Sequence, residues 1–243
     1  MLERFKLLLK LEEKEGKQKK AIKHLAITTN GIEAWAEEKK KPLDETYKKS
    51  FQKIKELIDL QIKNNIPILT IYLLPEELKK QEVFPTFLDE FISFFNALKS
   101  RSIIHDNKIK ISMLGKWYDL PSRAVDPIKS IIEETKDYDS FFLNFCINYN
   151  GQEEIVDACK MIARQIKADK LDIDSISKET IKDNIYSSYF LPPNLIIKNG
   201  KKRQTSGLLL WDSVCAYIHF TEKYFPEFDK DDFTKAIEQF KKS

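Results

Sequence analysis

The stretch His24-Leu-Ala-Ile-Thr-Thr-Asn-Gly-Ile-Glu-Ala-Trp-Ala36 holds the residues best placed for chemistry. A short apolar run meets a turn at Asn30-Gly31, and a helix opens by Trp35. In α/β proteins such a junction is a ready anion site, because free backbone N–H groups at a helix N-terminus attract negative charge. A second candidate is the basic cluster Lys198, Lys201, Lys202 and Arg203, with Ser206 close behind. It could hold one anion or be a solvated basic loop. His24, His105 and His219 form no ligand-spaced set, and His24 is expected to be structural at a strand start. Cys146, Cys159 and Cys215 lie far apart with no zinc or CxxC spacing. They read as buried thiols of a reduced intracellular protein.

The elements that must position these residues alternate along the chain. Residues 1–23 predict an N-terminal helix with Leu2, Phe5, Leu8 and Leu9 on one side, to be packed on the domain or laid on a membrane surface. The domain proper runs over 24–243. Pro42 and Asp44 open a helix whose apolar positions are Tyr47, Phe51, Ile54 and Ile58. Ile66 to Leu74 is almost wholly apolar and suits a strand covered on both faces. Residues 76–100 form a helical stretch with Phe84, Phe87, Phe91, Phe94 and Phe95, and Pro85 starts or kinks a helix there. Ile109–Leu114, Phe141–Asn148 and Asn194–Lys198 read as further strands, and Pro121–Lys136 as a helix. Ile155, Cys159, Ile162, Ala163 and Ile166 make the apolar stripe of another. Residues 208–220 read as an apolar helix and Asp229–Lys241 as a polar one. Such alternation predicts one α/β domain with a mainly parallel central sheet flanked by helices. Functional groups then belong at the strands' carboxyl ends, near Asn30, Leu74, Gly115, Asn148 and Lys198.

The totals narrow the classes. With 41 Lys+Arg against 38 Asp+Glu, the net charge is only +3, which argues against a nucleic-acid binder. Hydrophobic residues are 42% of the chain, enough for a core, and no run reaches the ~18 apolar residues of a membrane span. A cytoplasmic location, with peripheral membrane contact as the variant, is the expectation.

Five stretches, in order, resemble the cis-prenyltransferases. His24–Ala36 resembles that family's His-x-Ala-x-x-x-Asp-Gly-Asn-x-Arg-Trp-Ala. Leu69-Thr-Ile-Tyr72 with Glu77 resembles Leu-Thr-x-Tyr-x-x-Ser-x-Glu-Asn-Trp. Leu143–Ile155 resembles Leu-Asn-x-Ala-x-Asn-Tyr-Gly-Gly-Arg-x-Asp-Ile. Lys198-Asn-Gly through Trp211 resembles Arg-Thr-Gly-Gly-Glu-x-Arg-x-Ser-Asn-Phe-x-x-Trp, and Phe225-Pro-Glu-Phe-Asp229 resembles Trp-Pro-x-Phe. The resemblance implies joining isopentenyl diphosphate to an allylic diphosphate. That needs a carboxylate for Mg²⁺, cations for the diphosphates and an apolar tunnel for the product.

The charged positions of those motifs are changed here. The family's Asp is Asn30, an amide and a poor Mg²⁺ ligand. Ile32, Ala34 and Tyr47 replace its Asn, Arg and His. Lys198 and Gln204 replace its diphosphate-binding arginines, and Tyr217 aligns with its metal-binding Glu. Gly31, Lys198 and Ser206 remain as a weak diphosphate-binding set, with no catalytic residue, no metal ligand and no cofactor. Phe84, Phe87 and Phe91 lie where the family's tunnel helix lies. They are core packing or a plug.

The resemblance therefore implies a degenerate, non-catalytic subunit of the Nogo-B-receptor type. Its partner would be a catalytic cis-prenyltransferase chain in a heterodimer or larger heteromer, docked through Leu208–Phe228. A homodimer is the alternative assembly. The family's C-terminal Arg-x-Gly does not appear in Phe240-Lys-Lys-Ser243, so positioning a partner is expected rather than completing its site. The rival readings are a divergent active polyprenyl diphosphate synthase using Glu77, Lys198 and Ser206, and a non-catalytic polyprenyl-lipid binder.

Overall fold

The computed structural model describes residues 21–243, so nearly all of the helix expected over 1–23 lies outside the described residues. The strands are β1 (His24–Thr28), β2 (Ile68–Pro75), β3 (Ile109–Leu114), β4 (Phe141–Tyr149), β5 (Leu195–Lys198) and β6 (Tyr217–Phe220). They form one sheet in the order β3-β4-β2-β1-β5-β6, with every pairing parallel. Parallel strands need crossovers that cover both faces, which is why their sequences are continuous apolar runs. Ile68 to Leu74 is buried throughout. Side chains still alternate: Leu25 and Ile27 of β1 enter a large core on one face, and Ala26 enters a small cluster on the other.

The helices are α1 (Ile32–Lys39), α2 (Leu43–Lys63), α3 (Phe84–Lys99), α4 (Ser102–Asp106), α5 (Ser122–Thr135), α6 (Gly151–Lys167), α7 (Lys178–Asn184) and α8 (Lys230–Lys242). Pro85 stands in the first turn of α3, where its missing N–H costs nothing. The large core includes residues of α2, α3, α5 and α8. At its centre Tyr47 and Phe51 of α2 interlock with the phenylalanines of α3, and Phe94 and Phe95 of α3 in turn meet Phe145 of β4. Ring centroids are 5.3 Å apart for Tyr47–Phe87, 5.0 Å for Phe51–Phe94, 4.7 Å for Phe91–Phe95 and 5.3 Å for Phe95–Phe145. Tyr47, Phe91, Phe95 and Phe145 present no surface to a water-sized sphere. Phe84 is only partly buried, at the margin of this cluster.

Three expectations are corrected. Residues 208–220 are not a helix. They form turns, a 3-10 turn over Asp212–Cys215, and β6, which pairs with β5 from Leu195↔Tyr217 to Lys198↔Phe220. Left-handed backbone at Ser206, Gly207 and Leu209 ends any helical path, and Tyr-Ile-His-Phe suits a strand beside β5. The buried side of α6 is Gly151, Glu154, Ala158 and Ile162, so Cys159 and Ala163 of the expected stripe face outward. Of the cysteines only Cys146 is buried; Cys159 and Cys215 are exposed.

Candidate functional site at the strand carboxyl ends

The parallel sheet brings the ends of β1 and β5 side by side, and there the chain collects its candidate residues. Beyond β1, Asn30 reaches across to Ser206, its amide Nδ2 donating to Ser206 Oγ at 3.4 Å. Lys198, the last residue of β5, donates to the same Ser206 Oγ at 2.7 Å. Two loops more than 160 residues apart in sequence thus meet on one hydroxyl. Lys198 is only 1% exposed, and burial alone pulls its ammonium down to about 8. Among the described residues no carboxylate pairs with it.

Backbone geometry holds the two loops. Gly31 caps the start of α1 with φ 81°, and Gly200 follows β5 with φ 94°. A Cβ on Gly31 would lie 2.1 Å from Cδ1 of Tyr224, so the ring of Tyr224 takes the space that a side chain would need. Phe225 N–H donates to the Asn30 carbonyl at 3.1 Å, and Gly200 N–H to the Lys223 carbonyl at 2.9 Å. Asn199 N–H donates to Thr28 Oγ1 at 3.2 Å. The Asn199 side chain, 1% exposed, has no hydrogen-bond partner on either atom. The sequence held no signal for that buried amide, since asparagine after a strand is ordinary turn chemistry.

The other candidates separate. Lys201 pairs with Glu38 at 2.9 Å and lies over the Tyr224 ring, and Arg203 reaches Glu222 at 3.6 Å. The basic cluster is therefore one inward lysine, two surface ion pairs and the exposed Lys202. Glu77 accepts from Asn150 Nδ2 at 3.2 Å, on the β2–β4 side. Tyr217 pairs with Leu195 at the amino end of β5 and its ring meets Phe240 at 6.2 Å. It lies about 10 Å along the strand from the level of Lys198, at three residues of rise. The position matched to a metal-binding Glu is thus not in this cluster. His24 has the expected structural part: Nε2 contacts Thr70 Oγ1 at 2.8 Å and Nδ1 the Leu191 carbonyl. Burial lowers its pKa to about 4, so the ring is neutral.

A second polar cluster went unseen in the sequence. Tyr149 donates to Oε2 of the buried Glu154 at 2.6 Å. Close by, Asp212 accepts from Lys182 Nζ and Ser187 Oγ, both at 2.6 Å. Burial raises the Glu154 carboxyl to about 7; the Tyr149 hydrogen bond and Lys182 oppose this and Asp212 adds to it. Its only sequence signal was Glu154 at a position that helical spacing brings onto the same side as Ala158.

The undecaprenyl diphosphate synthase family, taken as a sequence profile, matches residues 29–243. This chain belongs to that family. Among relatives, tritrans,polycis-undecaprenyl-diphosphate synthase (geranylgeranyl-diphosphate specific) of Thermoplasma volcanium is 31% identical over 223 residues. That match covers 90% of this chain and 86% of the relative. Isoprenyl transferase of Rickettsia typhi is 32% identical, covering 91% of this chain and 95% of the relative. Lavandulyl diphosphate synthase of Lavandula x intermedia, solved with dimethylallyl diphosphate, superposes with a TM-score of 0.85 at 21% identity. It covers 91% of this chain and 95% of that one, which establishes the cis-prenyltransferase fold. No helix among the described residues is long and apolar enough to cross a membrane.

Proposed function

We propose that this cis-prenyltransferase homologue is a non-catalytic subunit of a heteromeric polyprenyl diphosphate synthase, whose partner chain condenses isopentenyl diphosphate. One observation carries the reading. Where the family motif has its essential carboxylate, the loop after β1 offers the Asn30 amide, and that amide is engaged with Ser206 beside a buried lysine. A divalent cation needs anionic oxygen donors and is repelled by a nearby ammonium. The residues present do not fit Mg²⁺. Gly31, Lys198 and Ser206 are retained as at most a weak diphosphate contact.

The aromatic cluster supports the same reading. A tunnel for a growing prenyl chain needs void space between α2 and α3, and rings 4.7 to 5.9 Å apart occupy that region. This weighs equally against the polyprenyl-lipid binder. The test is co-expression with each cis-prenyltransferase homologue of the same genome, co-purification, and a radiolabelled condensation assay. The expected result is a stable heteromer active only with both chains. Turnover of isopentenyl and farnesyl diphosphates by the purified chain alone would overturn the proposal.

A further inference from the structure

The polar cluster around Glu154 takes no part in the proposed function, and its charges do not balance. Glu154 and Asp212 are both buried. The one cation acting on both, Lys182, places Nζ 2.6 Å from Asp212 Oδ2. On Glu154, the Tyr149 hydroxyl occupies Oε2, and Oε1 has no hydrogen-bond partner among the described residues. A buried carboxyl with no ion pair and an idle oxygen is far more stable protonated than ionised.

Residues 178–190, which are α7 and the loop after it, cover this cluster. Only Ile185 and Ser187 among them are buried, so little apolar burial holds the segment down. Its ties are mainly polar. Lys182 and Ser187 Oγ both donate to Asp212, Lys182 also donates to the Ser187 carbonyl at 2.8 Å, and Gln165 Nε2 donates to Asn184 Oδ1 at 2.8 Å. The Tyr186 hydroxyl donates to Asp157, and the Ser187 backbone rests against the Glu154 carboxyl. A layer held this way opens well before the core does, and its opening lets water reach Glu154.

We propose that residues 178–190 are a pH-sensitive latch, closed over protonated Glu154 and released as Glu154 ionises. The groups that face Glu154 leave it as the one that changes charge near neutrality. From β4 come Tyr149 and Cys146, which burial keeps neutral, and from the cover Tyr186, which burial and Asp157 keep neutral. Lys182 and Asp212 are charged but already paired with each other. His24, which also feels Lys182, is neutral above about 4. On α6 itself, Glu153 and Asp157 are paired with Lys116, and Asp157 is held down at about 2. The sign follows from the raised carboxyl. Closed, it titrates at about 7; open and hydrated, it returns toward 4.5. Opening is therefore insensitive to pH below about 4.5, grows up to about 7 and then levels off. The latch goes beyond the proposed function and holds for a silent or an active chain.

Cys146 is the reporter, since it is buried in the small cluster against which Tyr186 and Phe190 of the cover pack. The test uses the full chain with Cys159→Ser and Cys215→Ser. Its reaction with dithiodipyridine is followed from pH 5 to 8 and divided by that of the same chain carrying Glu154→Gln, so that the thiol's own pH dependence cancels. The ratio should rise at least ~10-fold between pH 5 and 7.5 and flatten above. Lys182→Met should speed the reaction at every pH, because Asp212 and Ser187 lose their tie. Native-state hydrogen exchange of the wild type needs no variant to fold. Once intrinsic rates are divided out, amides of residues 178–190 should open more often as pH rises, and at least ~100-fold more often than those of β1 at each pH. A ratio that stays flat from pH 5 to 7.5 overturns the latch. So does a cover whose amides open no more often than those of β1, or whose opening does not change with pH.

Discussion

Lys198 is a cation that the fold buries without a carboxylate partner among the described residues. It is 1% exposed, with a hydroxyl as its partner. Its pKa is drawn down from 10.5 to about 8, so the unfolded chain binds the proton more tightly. Stability should therefore rise as pH goes from about 8 to 10.5, and Lys198→Met should abolish that rise. The variant should also be more stable at pH 7 by about 1–3 kcal/mol, because an unpaired buried charge is removed. Urea unfolding at several pH values measures both effects. Glu154 has the opposite sign. Its folded pKa of about 7 lies above the ordinary 4.5, so the folded state holds the proton more tightly. Stability should fall as pH rises from about 4.5 to 7, and Glu154→Gln should flatten that window. The upper limit of the effect is about 3 kcal/mol. Gly31 was legible as a turn residue, but the ring that forbids a side chain there was not. Gly31→Ala should cost about 2–3 kcal/mol from positive φ and collision. Adding Tyr224→Ala should recover the collision part in a thermal melt.

At the scale of elements, local pattern was a good guide wherever one face decides the element. The apolar runs became β2 and β4, Pro85 opened α3, and α2 and α5 appeared where spacing placed them. The failures share a cause. β6 and the roll of α6 are set by partners distant in sequence: β5 for the one, Tyr149, Gly207 and Leu210 for the other. Helical spacing locates an apolar stripe but does not say whether the chain's own core receives it. The five phenylalanines between 84 and 95 left two readings open, packing and plug. The structure shows four of them within one interlocked ring cluster, and the same contacts satisfy both readings. Phe91→Ala should destabilise by about 3–5 kcal/mol. It should also open a dry cavity, so that a fluorescent lipophilic probe binds the variant and not the wild type.

The whole molecule is a six-stranded parallel sheet with a deep core on one face and thin cover on the other. On α6 the residues Val156, Cys159 and Ala163 face outward. The chain's identity as a cis-prenyltransferase fold was determined by the sequence itself. The order of five motif-like stretches is legible in the chain, because apolar period, glycine turns and aromatic packing dictate the backbone. That position 30 carries an uncharged amide was equally plain, since a residue's charge is local information. Tertiary structure decided which surviving residues meet. It joined Asn30, Lys198 and Ser206, sent Tyr217 to the far end of its strand, and paired Lys201 and Arg203 away. It also fixed which side of α6 faces the protein. Those outcomes depend on contacts between residues tens to hundreds of positions apart, and spacing along the chain carries no record of them.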